Sequence, residues 1–234
     1  MTLNVRHESV GPADARPHVR IAHLSDLHLW FSDRKLRAVE SILETWKPDL
    51  LVLTGDYADT STGRRLATEW IESMAAVRPL CWIAGNHDRW WGRRFLVSLQ
   101  SVQCAHAIDY RDAWLDGKDG RRFRVTTPDR LSASAKGEIS EPTIVLLHDP
   151  AGIKEHELRT AENTLLLAGH LHGGQINLWG DRNGRRQPAA FMYRWLVDRA
   201  SIGGATLIVS GGLGDTLPIR IRSPKEIVMI DWRT

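Results

Sequence analysis

The sequence predicts an α/β protein built on a mainly parallel sheet, and three observations carry that prediction. Apolar runs the length of buried strands recur at Val19–Leu24, Leu50–Leu53 and Leu80–Ala84. Between them lie stretches whose apolar residues repeat at helical spacing, so the order is β-α-β-α-β, which right-handed crossovers turn into a parallel sheet. Each run also empties into a short segment rich in Asp, Asn, His and Gly.

The elements follow in order. Val19–Leu24 ends at Ser25-Asp26-Leu27-His28. A helix is then predicted, with Asp33 in position to cap it, an apolar face of Leu36, Val39, Ile42, Leu43 and Trp46, and Pro48 as its stop. Leu50–Leu53 ends at Thr54-Gly55-Asp56, and a second amphipathic helix carries Leu66, Trp70, Ile71, Met74 and Val77. Leu80–Ala84 runs into Gly85-Asn86-His87-Asp88, before a helix around Phe95–Ser101. Trp114-Leu115 and Phe123–Val125 flank Asp116-Gly117-Lys118-Asp119-Gly120, a hairpin signature. Thr127–Pro142 lacks periodicity and is expected to be a loop. Thr143–Leu147 and Thr164–Ala168 are strands leading to His148 and to Gly169-His170-Leu171-His172-Gly173-Gly174. Phe191, Met192, Trp195, Leu196 and Val197 stand at helical spacing. Leu207–Val209 and Ile227–Ile230 are closing strands, with Gly211–Gly214 as a turn after the first.

Composition narrows the class. The 234 residues, 42% hydrophobic and 25% charged, suit one soluble domain, taken as residues 19–234. Residues 1–18 are polar, hold Gly11, Pro12 and Pro17, and are expected to form a disordered arm. The formal charge of +3, 31 basic against 28 acidic residues, includes no long basic run, so nucleic acid is not favoured as a partner. Cys81 and Cys104 cannot build a disulfide framework, and Cys81 reads as a buried thiol, which suits a reducing cytoplasm. No window approaches the roughly 18 apolar residues of a membrane span. A cytoplasmic location is expected, with peripheral membrane contact left open and no obligate protein partner indicated.

Five strands thus deliver Asp26, His28, Asp56, Asn86, His148, His170 and His172 at their carboxyl ends, the edge where open α/β sheets bind ligands. Oxygen and imidazole donors without thiolate suit manganese, iron or zinc. Seven groups exceed what one tetrahedral ion needs, so two ions are implied. Two aspartates against two divalent ions leave a cationic site suited to an anionic phosphate and to charge building in its transition state. Two metals about 3.5–4 Å apart can also clamp both oxygens of an in-line displacement.

The blocks Asp26-Leu27-His28, Gly55-Asp56 with Asp59, Gly85-Asn86-His87-Asp88, His148 and Gly169-His170-Leu171-His172 resemble, in order, those of the calcineurin-like metallophosphoesterase superfamily. The tail, Gly211-Gly212-Leu213-Gly214 with Leu217-Pro218-Ile219-Arg220 and Pro224-Lys225-Glu226-Ile227, resembles a bacterial subgroup that includes membrane-associated phosphodiesterases and UDP-2,3-diacylglucosamine pyrophosphatases. The resemblance implies a four-layer α-β-β-α sandwich of two mixed sheets flanked by helices. It implies Asp26, His28 and His172 on one metal, Asn86, His148 and His170 on the other, and Asp56 bridging. His87 would donate to a phosphate oxygen or the leaving group, Asp88 would orient His87, and Asp59 would stand behind the ligands.

The implied activity is in-line hydrolysis of a phosphoester or pyrophosphate bond by a metal-bridging hydroxide, with manganese expected ahead of iron or zinc. The expected substrate is a small or lipid-linked phosphodiester or pyrophosphate. A nuclease is the alternative among enzymes, and a non-catalytic interaction scaffold is the alternative outside them. Arg89, Trp90, Trp91, Arg93 and Arg94, with Trp30 and Trp179, are expected to form a rim in which arginines bind an acidic group and tryptophans stack on the substrate. His23, inside the first strand, is expected to be a core histidine.

Overall fold

The computed structural model describes residues 3–91, 93–134, 141–153, 163–174, 177–180, 186–188, 196–215 and 220–234. The chain begins β1 (Asn4–Val10), β2 (Val19–Leu24), α1 (Arg34–Trp46), β3 (Leu50–Leu53), α2 (Ser61–Ala75) and β4 (Leu80–Trp82). It continues α3 (Asn86–Trp90), α4 (Arg93–Gln100), β5 (Ala105–Ala107), β6 (Ala113–Asp116), β7 (Arg122–Thr126) and α5 (Pro128–Ser134). The second half holds β8 (Thr143–Leu146), β9 (Thr164–Ala168), β10 (Asn177–Gly180), β11 (Arg186–Pro188), β12 (Arg199–Ile202), β13 (Ala205–Val209) and β14 (Glu226–Trp232). One six-stranded sheet runs β1-β14-β2-β3-β4-β5, and the other runs β12-β13-β9-β8-β7-β6. β10 and β11 form a separate antiparallel pair.

The strand sequences explain the layering. Residues two apart on a strand face the same side. In β2, Val19 and Ile21 therefore join Val52, Ile144, Leu146, Leu165 and Ile208 in the core between the sheets. Ala22 and Leu24 turn the other way, under Leu36, Val39 and Leu43 of α1, Trp70 and Ile71 of α2, and Phe95 and Leu99 of α4. Val145, Leu166 and Leu207 face outward from the second sheet and meet Leu131 of α5. The architecture is thus two mixed sheets face to face with helices outside, as the resemblance implied. The mainly parallel character holds for β2-β3-β4-β5 and for β7-β8-β9-β13, while β14 pairs antiparallel with β2, β6 with β7 and β12 with β13.

Three expectations need correction. Residues 1–18 are not wholly a disordered arm, because Asn4–Val10 pairs parallel with β14 from Asn4 opposite Glu226 to Val10 opposite Trp232. Backbone hydrogen bonds supply what its weak apolar pattern lacks, and the Arg6 guanidinium pins it to Glu226 at 3.2 Å and to the Val209 carbonyl at 2.6 Å. The expected loop at 127–142 opens as α5, for which Pro128 and Asp129 are start signals and Leu131 is the apolar anchor. Asp33 stands at the N-cap of α1 but caps nothing with its side chain, which pairs with Arg37 instead. Thr60 does cap α2, accepting from the Gly63 amide at 3.0 Å. Of the residues expected at helical spacing near the end, 191–195 lie outside the described residues.

His23 is a core histidine: it is fully buried and bonds Thr54 Oγ1 at 2.9 Å. Burial, with the Arg6 charge, pushes its pKa down to about 3. Cys81 is buried as expected, and burial raises its thiol pKa well above the ordinary range. No helix among the described residues is long and apolar enough to cross a membrane.

Candidate metal centre

β2, β3, β4, β8 and β9 lie parallel within their sheets, so the segments after them meet at one edge of the sandwich. The backbone there is unusual. Among the described residues seven non-glycine positions have positive φ, and five of them are Asp26, His28, Asp56, His170 and His172. Each such residue costs of order 1–3 kcal/mol and persists only where its surroundings over-determine it. Tight approach explains two of the glycines. A Cβ on Gly55, whose φ is +99°, would lie 2.4 Å from the Gly85 amide nitrogen, and one on Gly85 would lie 2.1 Å from Asp56 Oδ1. The two turns touch backbone to backbone, which lets Asp56 and Asn86 share a site.

The side chains form two groups that Asp56 joins. Asp26, His28 and His172 lie close enough to hold one ion, with His172 Nε2 3.8 Å from Asp26 Oδ1. Asp56, His148 and His170 form the other group. Asp56 Oδ2 is 3.3 Å from His148 Nε2 and 3.7 Å from His28 Nε2, so one carboxylate oxygen faces both. Asn86 Oδ1 is 2.9 Å from His148 Nε2, and His170 Nδ1 is 3.1 Å from it.

These contacts call for a positive charge at His148 Nε2, a proton or a metal ion. His148 Nδ1 donates to the Thr54 carbonyl at 2.7 Å. In the neutral ring Nε2 would then turn a lone pair toward a carboxylate oxygen and an amide oxygen. Lone pairs converging in a buried place need a proton or a metal ion between them. The protonation balance reports the same demand: burial opposes charging His148, yet Asp56 and Asp26 raise its pKa to about 9. Burial likewise opposes ionisation of Asp56, but His148 and His28 hold it down at about 2. The donor set, oxygen and imidazole without sulfur, fits a hard or borderline divalent ion.

Asp59 stands behind the ligand His28 as expected, and it also takes the role expected of Asp88. Asp59 takes His28 Nδ1 at 3.0 Å, His87 Nδ1 at 2.9 Å and Trp30 Nε1 at 3.1 Å. It is Asp59, not Asp88, that orients His87. Asp88 is fully buried and accepts the backbone amides of Asp56, Tyr57 and Gly85 at 2.7–2.9 Å, binding the two turns together. The spacing gave no warning, since Asp88 adjoins His87 in sequence while Asp59 is 28 residues away. Burial and the nearby Asp56 charge raise the Asp88 pKa to about 6. Against the opposing effect of burial, His28 and His87 lower the Asp59 pKa.

Sequence reasoning missed a sixth contribution. The Gly211–Gly214 turn after β13 is part of the site: the Gly214 amide donates to the Asp26 carbonyl at 2.6 Å, and the Gly214 carbonyl accepts from His172 Nδ1 at 3.1 Å. That bond leaves His172 Nε2 for a ligand. Arg220 locks the turn through the Gly211 carbonyl at 2.7 Å, the Gly214 carbonyl at 2.8 Å and Asp215 Oδ1 at 2.7 Å. Asp215 also lies 3.6 Å from His172 Nδ1. Lys35 reaches in from α1 to the Leu27 carbonyl, and burial with the Lys225 charge lowers its pKa to about 8. The signal was present: Leu207–Val209 is another apolar run that ends in glycines and an aspartate.

The expected rim is split. Trp90 stacks on His87 with ring centroids 4.6 Å apart, and Trp30 reaches Asp59, so both border the His87 side. Trp91 lies under the Arg64 guanidinium at 4.5 Å. Arg93 and Arg94 are exposed on α4, Arg94 lining a separate hollow with Arg64. Arg89 faces another direction, bonding Asp109 at 3.1 Å beside a cavity of about 520 Å³ that takes in Asn86 and His148. The Trp179 side chain lies outside the described residues.

Comparison with known proteins adds three findings. A family model described as calcineurin-like phosphoesterase matches residues 19–211. Phosphodiesterase YaeI of Escherichia coli is 25% identical, with 97% of this chain and 87% of that protein aligned. The uncharacterized metallophosphoesterase YkuE of Bacillus subtilis is 28% identical over 92% of this chain and 79% of its own. Among solved structures, a dimetal phosphatase from Danio rerio superposes with TM-score 0.54 at 13% identity, covering 93% of this chain and 100% of that one. TT1561 of Thermus thermophilus gives 0.50 at 14% identity, covering 85% and 90%. At these identities the two structures bear on the fold.

Proposed function

Because this chain belongs to the calcineurin-like phosphoesterase family, whose members are metal-dependent hydrolases, we propose that it is a phosphodiesterase working with two divalent ions, manganese first among them. The observation that carries this is the meeting of Asp56 Oδ2, Asn86 Oδ1 and His148 Nε2, with Asp56 shared by the Asp26–His28–His172 group. Asp26, His28 and His172 would hold one ion, Asn86, His148 and His170 the other, and Asp56 both. Ions held there supply positive charge for phosphate oxygens and bring the pKa of water toward neutrality.

The chain's own groups do the rest. His87, fixed through Nδ1 by Asp59, keeps Nε2 for a phosphate oxygen or the departing alkoxide. Trp90 stacked on His87 limits the ring's swing. General acids of this kind contribute typically 10²–10⁴-fold. Diesters and pyrophosphates on small or lipid-linked molecules are the substrates we favour, in a cytoplasmic setting with peripheral membrane contact. The full ligand set speaks against a scaffold.

The test is hydrolysis of bis-(p-nitrophenyl) phosphate with added manganese, repeated after chelation and with Asp56→Asn. We expect turnover that chelation abolishes and that Asp56→Asn lowers at least 100-fold. Turnover insensitive to chelation would refute the proposal.

A further inference from the structure

The cavity of about 520 Å³ beside the site is bordered by Asn86 and His148 but not by His28, His87 or His172. It lies between the carboxyl ends of the two sheets, with Ile83, Ala84, Leu146 and Leu147 as its apolar base. A diester whose departing group meets His87 has a second, retained alcohol, and this cavity adjoins the phosphate on the Asn86–His148 side.

Its charge is legible from the contacts. Of the two cations in the wall, Arg89 is paired with Asp109 Oδ1 at 3.1 Å, and Asp109 is itself fixed by the Ala84 amide at 2.6 Å. Arg130 bonds Asp112 Oδ1 at 2.6 Å and the carbonyls of Asp109 and Ile108. Both positive charges are therefore spent on the protein. Asp129, at the mouth on α5, has no ion pair among the described residues. Asp149 caps the Ala151 amide at 2.8 Å and lies 4.0 Å from His170 Nε2. Away from the proposed metals the wall carries net negative charge, with exposed Tyr110 offering an aromatic face and a hydroxyl.

Resting on the phosphodiesterase reading above, we infer that this cavity receives the retained alcohol of the substrate, and that this alcohol is an uncharged polyol or an ammonium-bearing amino alcohol. A retained arm with a second anionic group is disfavoured. An ammonium gains from Asp129 and from the Tyr110 face, a polyol gains hydrogen bonds, and a carboxylate or second phosphate meets like charge.

The experiment compares three diesters that all release p-nitrophenolate and differ in the retained alcohol: choline, glycerol and 2-carboxyethanol. With the manganese-loaded enzyme we expect kcat/KM for the choline and glyceryl esters to exceed that for the carboxyethyl ester about tenfold or more. Asp129→Lys, an exposed change, should shrink the choline-to-carboxyethyl ratio at least tenfold. Asp129→Asn should move the ratio the same way by less. Equal rates on the three esters, or a ratio unmoved by Asp129→Lys, would overturn the cavity assignment alone. Failure of the enzyme on every diester, bis-(p-nitrophenyl) phosphate included, would overturn the phosphodiesterase reading and this inference with it.

Discussion

Replacing Asp59 by Asn separates two arrangements that the sequence cannot tell apart. The carboxylate holds His28 Nδ1 at 3.0 Å and His87 Nδ1 at 2.9 Å. An asparagine offers one acceptor oxygen and two N–H donors, so with its oxygen kept for His87 an NH₂ group faces His28 Nδ1 and Trp30 Nε1 where Oδ2 now accepts them at 3.0 and 3.1 Å. A ring left facing a donor turns, or moves its proton to Nε2, the nitrogen intended for metal or substrate. Loss of such a partner behind a ligating histidine typically lowers metal affinity 10–100-fold, about 1.4–2.7 kcal/mol. If His87 loses its bond as well, part of the 10²–10⁴-fold contribution of a general acid is also lost.

Asp88→Asn should behave differently. Asp88 accepts three backbone amides, and asparagine would set an NH₂ group against at least one of them. Hydrogen bonds to a charged acceptor are worth about 1.5–3 kcal/mol each, so losing two costs roughly 3–6 kcal/mol of stability. The assays are manganese titration by calorimetry, bis-(p-nitrophenyl) phosphate turnover, and thermal melting on both variants. Asp59→Asn should lose affinity and turnover with its melting temperature nearly unchanged, and Asp88→Asn should melt well below the parent. The reverse pattern, with Asp59→Asn silent and Asp88→Asn folded but inactive, would refute the reasoning.

Two further outcomes are expected. Arg220→Gln frees the Gly211–Asp215 turn that holds His172 Nδ1, so manganese affinity should fall about 10–100-fold, with partial recovery in Arg220→Lys; an unchanged dissociation constant in a folded Arg220→Gln protein would exclude Arg220 as a positioning residue. His23 is held neutral with a pKa of about 3 against an ordinary value of 6.5, so the unfolded chain binds the extra proton between those values. The contribution of His23 is complete above pH 6.5 and is lost as pH falls, by at most about 1.4 kcal/mol per unit and roughly 4–5 kcal/mol in all. Urea unfolding from pH 7.5 to 4.5 should show a steeper decline for the parent than for His23→Gln, and parallel curves would show that His23 does not drive it.

The strands that build the site were legible because burial on both faces demands uninterrupted apolar sequence. Leu50–Leu53 and Thr164–Ala168 appear with the bounds read from the sequence. β1 was not legible: Asn4–Val10 is held by β14 and by Arg6, contacts made more than 190 residues away in the chain. The seven proposed ligands could be found because each follows such a strand. The pairing of His87 with Asp59 and not Asp88 could not, since sequence adjacency says nothing about which carboxylate a ring turns toward across a fold.

Those same contacts explain why the site tolerates so much backbone strain. Five ligand residues sit at positive φ, and at of order 1–3 kcal/mol each the total rivals the whole stability of an ordinary domain. Only cross-bracing between separate strands can hold such a set. Asp88 ties the β3 turn to the β4 turn, the His170 amide donates to Asp26 Oδ2 at 3.0 Å and so ties the β9 turn to the β2 turn, and Gly214 joins β13 to both His172 and Asp26. Each brace ends on a ligand or on the backbone beside one. A change at Asp88 or Arg220 therefore reaches the proposed metals by releasing a strained turn, without touching them directly. Variants at these braces should accordingly lose metal affinity and local hydrogen-exchange protection together, whereas changes at an exposed position such as Asp129 should alter neither.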